Sequence, residues 1–254
     1  MEWAQIFNET NMVGFLLLFF RFAALFIAVP IFNHQNIPMN IKATMAFYFT
    51  VVFYGSMPPL AISIDIPTII IAILGEFLLG LSVGVVLQLA YNVITFAGGQ
   101  ISFMMGFSMA SAIDPQSGIS MPIISQFLSL MALMILLSLN LHHWILLFID
   151  HSLKTIPLGG FVMSKDLFHY IIHATSNMFL VGFIIAFPII ALSWLADVIF
   201  GMLMKTMPQF NLLVIGFPIK IMVAFVVLIA TFSVIMLIFK GQVQEAFNSL
   251  EMFF

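Results

Sequence analysis

The chain has 254 residues, of which 63% are hydrophobic and 7% charged, with a net charge of −3 and no cysteine. A soluble domain carries about 25% charged residues, so a water-soluble globular fold is excluded and an integral membrane protein is expected. Without a Lys/Arg cluster nucleic-acid binding has no footing, and the missing thiols remove disulfides, thiolate metal sites and cysteine nucleophiles.

Six apolar segments follow in chain order, roughly 12–32, 41–60, 67–96, 122–149, 169–200 and 210–239. Each has the ~17–25 residues a helix needs to span a bilayer. The predicted fold is therefore all-α, an integral membrane protein of about six long or broken hydrophobic helices. Glu2 and Glu9 precede the first segment with no Lys or Arg. A cleaved signal peptide is not expected there, and the first helix should stay in the mature protein. Turn-rich joints separate the segments: Asn33–Pro38, Pro58-Pro59 to Pro67, Asp150 to Asp166, and Lys205 to Asn211. Lysines divide three to two between the two sides, so charge sets no orientation.

The third segment is too long for a bilayer. A helix from Pro67 to Met105 would measure roughly 58 Å at 1.5 Å per residue, against a hydrocarbon core of about 30 Å. It must tilt steeply, break near Gly98-Gly99, or rise out of the bilayer inside an assembly. Pro188 and Pro218 are expected to kink or interrupt the fifth and sixth segments. The tail after Lys240 reads as short and amphipathic.

Along the third segment Gly80, Gly84, Gln88, Asn92, Thr95, Gly99, Ser102 and Gly106 share one helical face. The small-xxx-small pattern at Gly80 and Gly84 permits close helix approach. Plain helix packing is the default reading. The alternative is a subunit seam or wet lumen faced by Gln88, Asn92 and Thr95.

Between Glu76 and Asp150 the one Asp, Glu, Lys or Arg is Asp114. It lies in the joint from Gly106 to Pro122, which carries Phe107, Ser108, Met109, Ile113, Pro115, Gly118 and Met121. Asp114-Pro115 and Ser117-Gly118 are turn signals, yet the remaining residues are small or apolar, which is odd for a water-exposed loop. Irregular backbone at membrane depth is tolerated only where protein buries it or a cavity is lined by it. A re-entrant connection and a plug both fit. Met104, Met105, Met109 and Met121 surround the joint; methionine suits a deformable seal, although core filling is the default reading in a chain rich in methionine throughout.

Four ionisable residues fall inside apolar segments: Arg21, Glu76, Asp197 and Lys220. Each costs about 2.5–3.5 kcal/mol at a helix centre, so partners or water are expected. Asp197 and Lys220 stand equally far from the joint between the last two segments and could pair across an antiparallel hairpin. The histidines His142-His143 and His169/His173 lack the carboxylates and spacing of a metal site, and interfacial hydrogen bonding is their default role. With no Gly-x-Ser-x-Gly and no P-loop, no catalytic residue, metal or cofactor is expected.

With these residues set out, the whole chain resembles the FliR family of flagellar biosynthetic proteins and their virulence-type secretion counterparts. Arg21-Phe-Ala-Ala-Leu-Phe with Pro30-Ile-Phe looks like the family's opening helix, and Gly106-Phe-Ser-Met-Ala to Asp114-Pro115-Gln-Ser-Gly118 looks like its central loop. Asn140-Leu-His-His-Trp144, Ile156-Pro-Leu-Gly159 and Val214-Ile-Gly-Phe-Pro-Ile-Lys220-Ile follow in order. The resemblance implies a core subunit of the type III export gate, in the bacterial inner membrane at the flagellar basal body. Its partners would be FliP-like and FliQ-like subunits, FlhB and FlhA, membrane lipid and unfolded protein substrates. It also implies a FliP-like unit over 1–165 followed by a FliQ-like hairpin over 166–254, and a plug at Gly106–Pro122 blocked by Phe107, Met109 and Ile113 with Gly106 and Gly118 as hinges. Gly80, Gly84, Gln88, Asn92 and Gly99 would pack against neighbouring subunits. A small-solute secondary transporter using the four intramembrane charges is the alternative, and an intramembrane hydrolase has no nucleophile–base pair to support it.

Overall fold

In the computed structural model, residues 9–33, 37–57, 60, 62–107, 122–207 and 212–253 are described. Among them the regular structure is helical, with no strand. The α-helices are α1 (Glu9–Ala28), α2 (Met39–Phe53), α3 (Ile66–Met105), α4 (Ile123–Ser138), α5 (Leu141–Thr155), α6 (Lys165–Thr206) and α7 (Phe217–Phe253). Four of the apolar stretches are long enough to cross a membrane, and α4 with α5 makes a fifth if that bent pair is one span.

Two of the six expected spans differ from the sequence reading. The second forms only the 15-residue α2, closed by a 3-10 turn over Tyr54–Ser56. At 1.5 Å per residue that helix is roughly 22 Å long, short of the hydrocarbon core. The fourth bends by 55° between α4 and α5. Asn140 sits at the bend with φ 56° and ψ 35°, the left-handed region that asparagine tolerates better than most residues. Its carbonyl then accepts from His143 N (2.9 Å) and Trp144 N (3.0 Å) to start α5.

α3 runs 40 residues without a break at Gly98-Gly99. Gly98 instead lets α4 approach: a Cβ there would lie 2.5 Å from Ser125 Cα. α6 continues through Pro188. Pro218 is the second residue of α7, directly after a π-helical turn over Leu212–Gly216, so its missing N–H falls where the helix changes from π to α hydrogen bonding. The tail extends α7 to Phe253 with Val243, Ala246 and Leu250 buried, an amphipathic pattern at helical spacing.

The chain forms two compact units, and the long helices contribute to both. The first comprises Met1–Leu89, Leu136–Ala174 and Gln244–Phe254. Its core is led by α1, where Leu17, Leu18, Phe22, Leu25 and Phe26 are buried. Phe22 stacks on Phe26 and Phe49 at centroid distances of 6.1 and 6.0 Å. In hydrocarbon such contacts gain by close packing rather than by water exclusion. Trp144 stacks on Phe247 at 4.5 Å and its indole N–H donates to Glu251 Oε1 at 3.3 Å, docking the tail. The second unit comprises Ala90–Ile135 and Thr175–Val243. There the α3 end pairs with the start of α4, and α6 pairs with α7.

Candidate functional site: the central joint and two ion pairs

The joint opens where α3 stops. Gly106 adopts φ +88°, its N–H donates to Phe103 O at 3.1 Å, and Phe107 N–H donates to Ser102 O at 3.1 Å. This is the Schellman arrangement, which requires a left-handed residue and so selects glycine. A Cβ at Gly106 would also meet the Phe217 ring at 3.0 Å. The ring of Phe107 meets that of Phe225 edge-on at 6.3 Å. The entry to the joint is therefore fixed against α7.

The exit is fixed against α3. Pro122 O accepts from Gln126 N at 3.0 Å as α4 begins. Ser125 Oγ donates to Thr95 O (2.8 Å), Thr95 and Ser129 hydroxyls meet at 3.3 Å, and Tyr91 OH donates to Ser129 O at 3.3 Å. Together with the Gly98–Ser125 contact these bonds make the base of the joint an antiparallel helix pair. Ser108, Met109, Ile113, Asp114, Pro115, Gly118 and Met121, the residues expected to form a plug, lie outside the described residues.

The glycine stripe divides by location. Gly80 would place a Cβ 2.5 Å from Arg21 O and 2.9 Å from Ala24 Cβ, and a Cβ on Gly84 would collide with Ala28. The close neighbour at these two glycines is the chain's own α1. Gly99 has open space in front of it, and Gln88 and Asn92 are half-buried.

The four intramembrane charges form two pairs. Arg21 and Glu76 are both fully buried. Arg21 Nε donates to Glu76 Oε2 at 2.5 Å and Nη2 to Oε1 at 3.0 Å, a bidentate fork. Nη1 reaches Ser152 Oγ at 3.0 Å and Nη2 the Ile156 carbonyl at 3.3 Å, while Gly159 N–H donates to Glu76 Oε1 at 2.7 Å. One ion pair thus ties α1, α3, α5 and the turn after α5 together. Sequence reasoning named both residues but not their partnership. Lys220 Nζ stands 2.7 and 2.8 Å from the two Asp197 oxygens, joining α7 to α6. Asn177 and Gln242, which sequence reasoning did not single out, share an amide hydrogen bond of 2.8 Å between the same helices.

Among the described residues no group of three metal-ligating side chains is present. The His142 and His143 rings lie 4.3 Å apart, and His142 Nδ1 is buried without a hydrogen-bond partner.

A polytopic helical membrane protein with a braced, charge-poor joint between α3 and α4 is the class these features define. The model of bacterial export proteins, family 1, matches residues 12–246, and the chain belongs to that family. It is 36% identical to the flagellar biosynthetic protein FliR of Bacillus subtilis (strain 168) over 90% of this chain and 89% of the relative. It is 29% identical to that of Escherichia coli (strain K12) over 91% and 88%, and 24% identical to that of Aquifex aeolicus (strain VF5) over 98% and 96%.

Proposed function

We propose that this chain is a core membrane subunit of a flagellar-type protein export gate, and that its central joint closes the passage for unfolded export substrates. The family match and the flagellar names of the relatives support the export role. The plug reading is carried by one observation: the joint is anchored at both ends, by the Schellman turn at Gly106 and the Ser125–Thr95 bond, while its sequence is almost free of charge. Anchored ends around a charge-poor sequence suit a segment that must yield to a passing chain and then reseal. FliP-like and FliQ-like subunits, FlhB and FlhA are the proposed partners, in the inner membrane at the basal body. The division into a FliP-like unit (1–165) and a FliQ-like hairpin (166–254) belongs to the same proposal. It makes the protein a conduit and not an enzyme.

Against the small-solute carrier stands the pairing of its candidate coupling groups. Arg21 and Glu76 satisfy each other, as do Lys220 and Asp197, and a buried bidentate pair is a poor candidate for cyclic protonation.

Because the chain has no cysteine, single cysteines at Met109 and Ile113 can be introduced directly. An export substrate stalled by a folded C-terminal domain, with cysteines along its unfolded part, should form disulfides with both positions. Efficient stalling with no adduct anywhere in 106–122 would overturn the gate reading.

A further inference from the structure

We propose that the chain's own C-terminal residues act as a strap that holds the bend at Asn140, with the Asn140-Leu-His-His-Trp144 motif as its seat. The strap is the stretch Gln244–Phe253 of α7, and seat and strap belong to the same compact unit.

The bend needs a hold. Asn140 is the one non-glycine residue with positive φ among the described residues. Its side chain makes no capping bond, so the position is used for its backbone conformation. Helix formers stand on either side, Leu137 and Leu139 before it and Leu141 after it. By local preference α4 and α5 would run through residue 140 as one helix. A non-glycine residue stays left-handed only where its surroundings demand it.

Both ends of α5 are tied, by different means. At the far end Ser152 Oγ and the Ile156 carbonyl accept from Arg21. At the near end, one turn beyond the bend, Trp144 is tied to the strap. Its ring stacks on Phe247 at 4.5 Å and 11°, and its indole N–H donates to Glu251 Oε1 at 3.3 Å. The strap is itself secured: Ala246 and Leu250 are buried, and the Phe253 ring meets Tyr170 of α6 at 5.3 Å. Rotating Asn140 into the right-handed region would redirect the first turn of α5 and carry Trp144 off Phe247 and Glu251. The left-handed residue and the seated strap therefore stabilise each other, and by linkage whatever weakens one weakens the other. This coupling is independent of how the joint works.

The test uses the full chain with its co-purifying subunits. Ala246→Cys places one thiol on the buried side of the strap in a chain otherwise free of cysteine, and a polyethylene-glycol maleimide reports its exposure as a gel shift. Asn140→Ala disfavours the left-handed region, whereas Asn140→Gly accepts it. Labelling should be slow in the parent, about fivefold or more faster with Asn140→Ala, and at the parent rate with Asn140→Gly. In the reverse direction Phe247→Ala removes the stack at the seat. Hydrogen exchange at the amides of His143 and Trp144, which donate to Asn140 O, should then quicken several-fold, while amides near Ser152 keep their protection. Fast labelling in the parent would show the strap unseated. Slow labelling in Asn140→Ala, or equal labelling in the two Asn140 variants, would make bend and strap independent. Exchange in Phe247→Ala that is unchanged, or that rises equally near Ser152, would mean that the strap does not act at the bend. Any of these results overturns the proposal.

Discussion

Two ion pairs of like composition sit in unlike surroundings, and the contrast separates architecture from membrane placement. Arg21 and Glu76 are wholly buried and share five hydrogen bonds' worth of partners across three helices and a turn. Lys220 and Asp197 link only two adjacent helices, with the lysine buried and the carboxylate half open. Burying charge repays its desolvation only when every donor and acceptor is met. In the first pair every guanidinium nitrogen and both carboxylate oxygens are bonded, and it acts as a structural node. The second leaves one face of Asp197 for solvent or headgroups.

The largest expected effect is at the node. Glu76→Gln removes the charge that neutralises a buried guanidinium and should cost about 3–5 kcal/mol, read as a lower denaturant midpoint of the detergent-solubilised chain. Exchanging the charges by Arg21→Glu with Glu76→Arg should not restore stability, because Gly159 N–H needs an acceptor at position 76. Full rescue by the exchange would reduce the node to a simple charge pair.

Next comes the entry to the joint. Gly106→Val forces a β-branched residue to φ +88° beside Phe217, costing about 1–3 kcal/mol through backbone strain. Export should fall, and Gly106→Asn should retain more of it than Gly106→Val, since asparagine tolerates this region. Equal export by the two variants would show that the Schellman turn is dispensable.

At the second pair the two truncations should differ. Asp197→Ala strands a buried ammonium and should cost about 1–3 kcal/mol. Lys220→Met leaves a carboxylate that can hydrate, with a cost below about 1 kcal/mol. Adding Lys220→Met to Asp197→Ala should recover stability. Equal costs would place both groups in the same environment and erase the contrast between the pairs.

The smallest effect is a pH dependence at the start of α3. Asp65 accepts from Ser63 Oγ, from Thr68 Oγ1 at 2.8 Å and from Thr68 N at 3.3 Å, an N-cap that holds its carboxyl below the usual carboxylate range. A depressed folded pKa stabilises above the unfolded value and loses that contribution as pH falls through the folded one. Stability should therefore decline slightly on acidification below the ordinary aspartate pKa, and Asp65→Asn should flatten that decline.

How much of this was legible in the sequence depends on distance along the chain. The possible Asp197–Lys220 contact could be read because both residues stand equally far from one hairpin joint. The Arg21–Glu76 pair could not: its helices are not neighbours in sequence, and its remaining partners, Ser152, Ile156 and Gly159, carry no charge to advertise them. Gly80 and Gly84 announced close helix approach but not that α1 was the partner. The apolar run 122–149 hid the bend at Asn140, since hydropathy records composition and not a single left-handed residue. In the run 41–60 the stop was written in Gly55 and Pro58-Pro59, but hydropathy alone carried the segment past the end of regular helix at Phe53. Local turn chemistry survives in sequence, whereas the choice of partner for a buried group is made by tertiary packing.

The claim that the joint seals a passage meets its most direct test in conductance across a planar bilayer. The assembled complex would carry either the intact chain or one lacking Ala110–Gly118. The intact assembly should be silent and the deletion should pass ions in discrete steps. A deletion complex that assembles normally yet stays as tight as the parent would contradict the account.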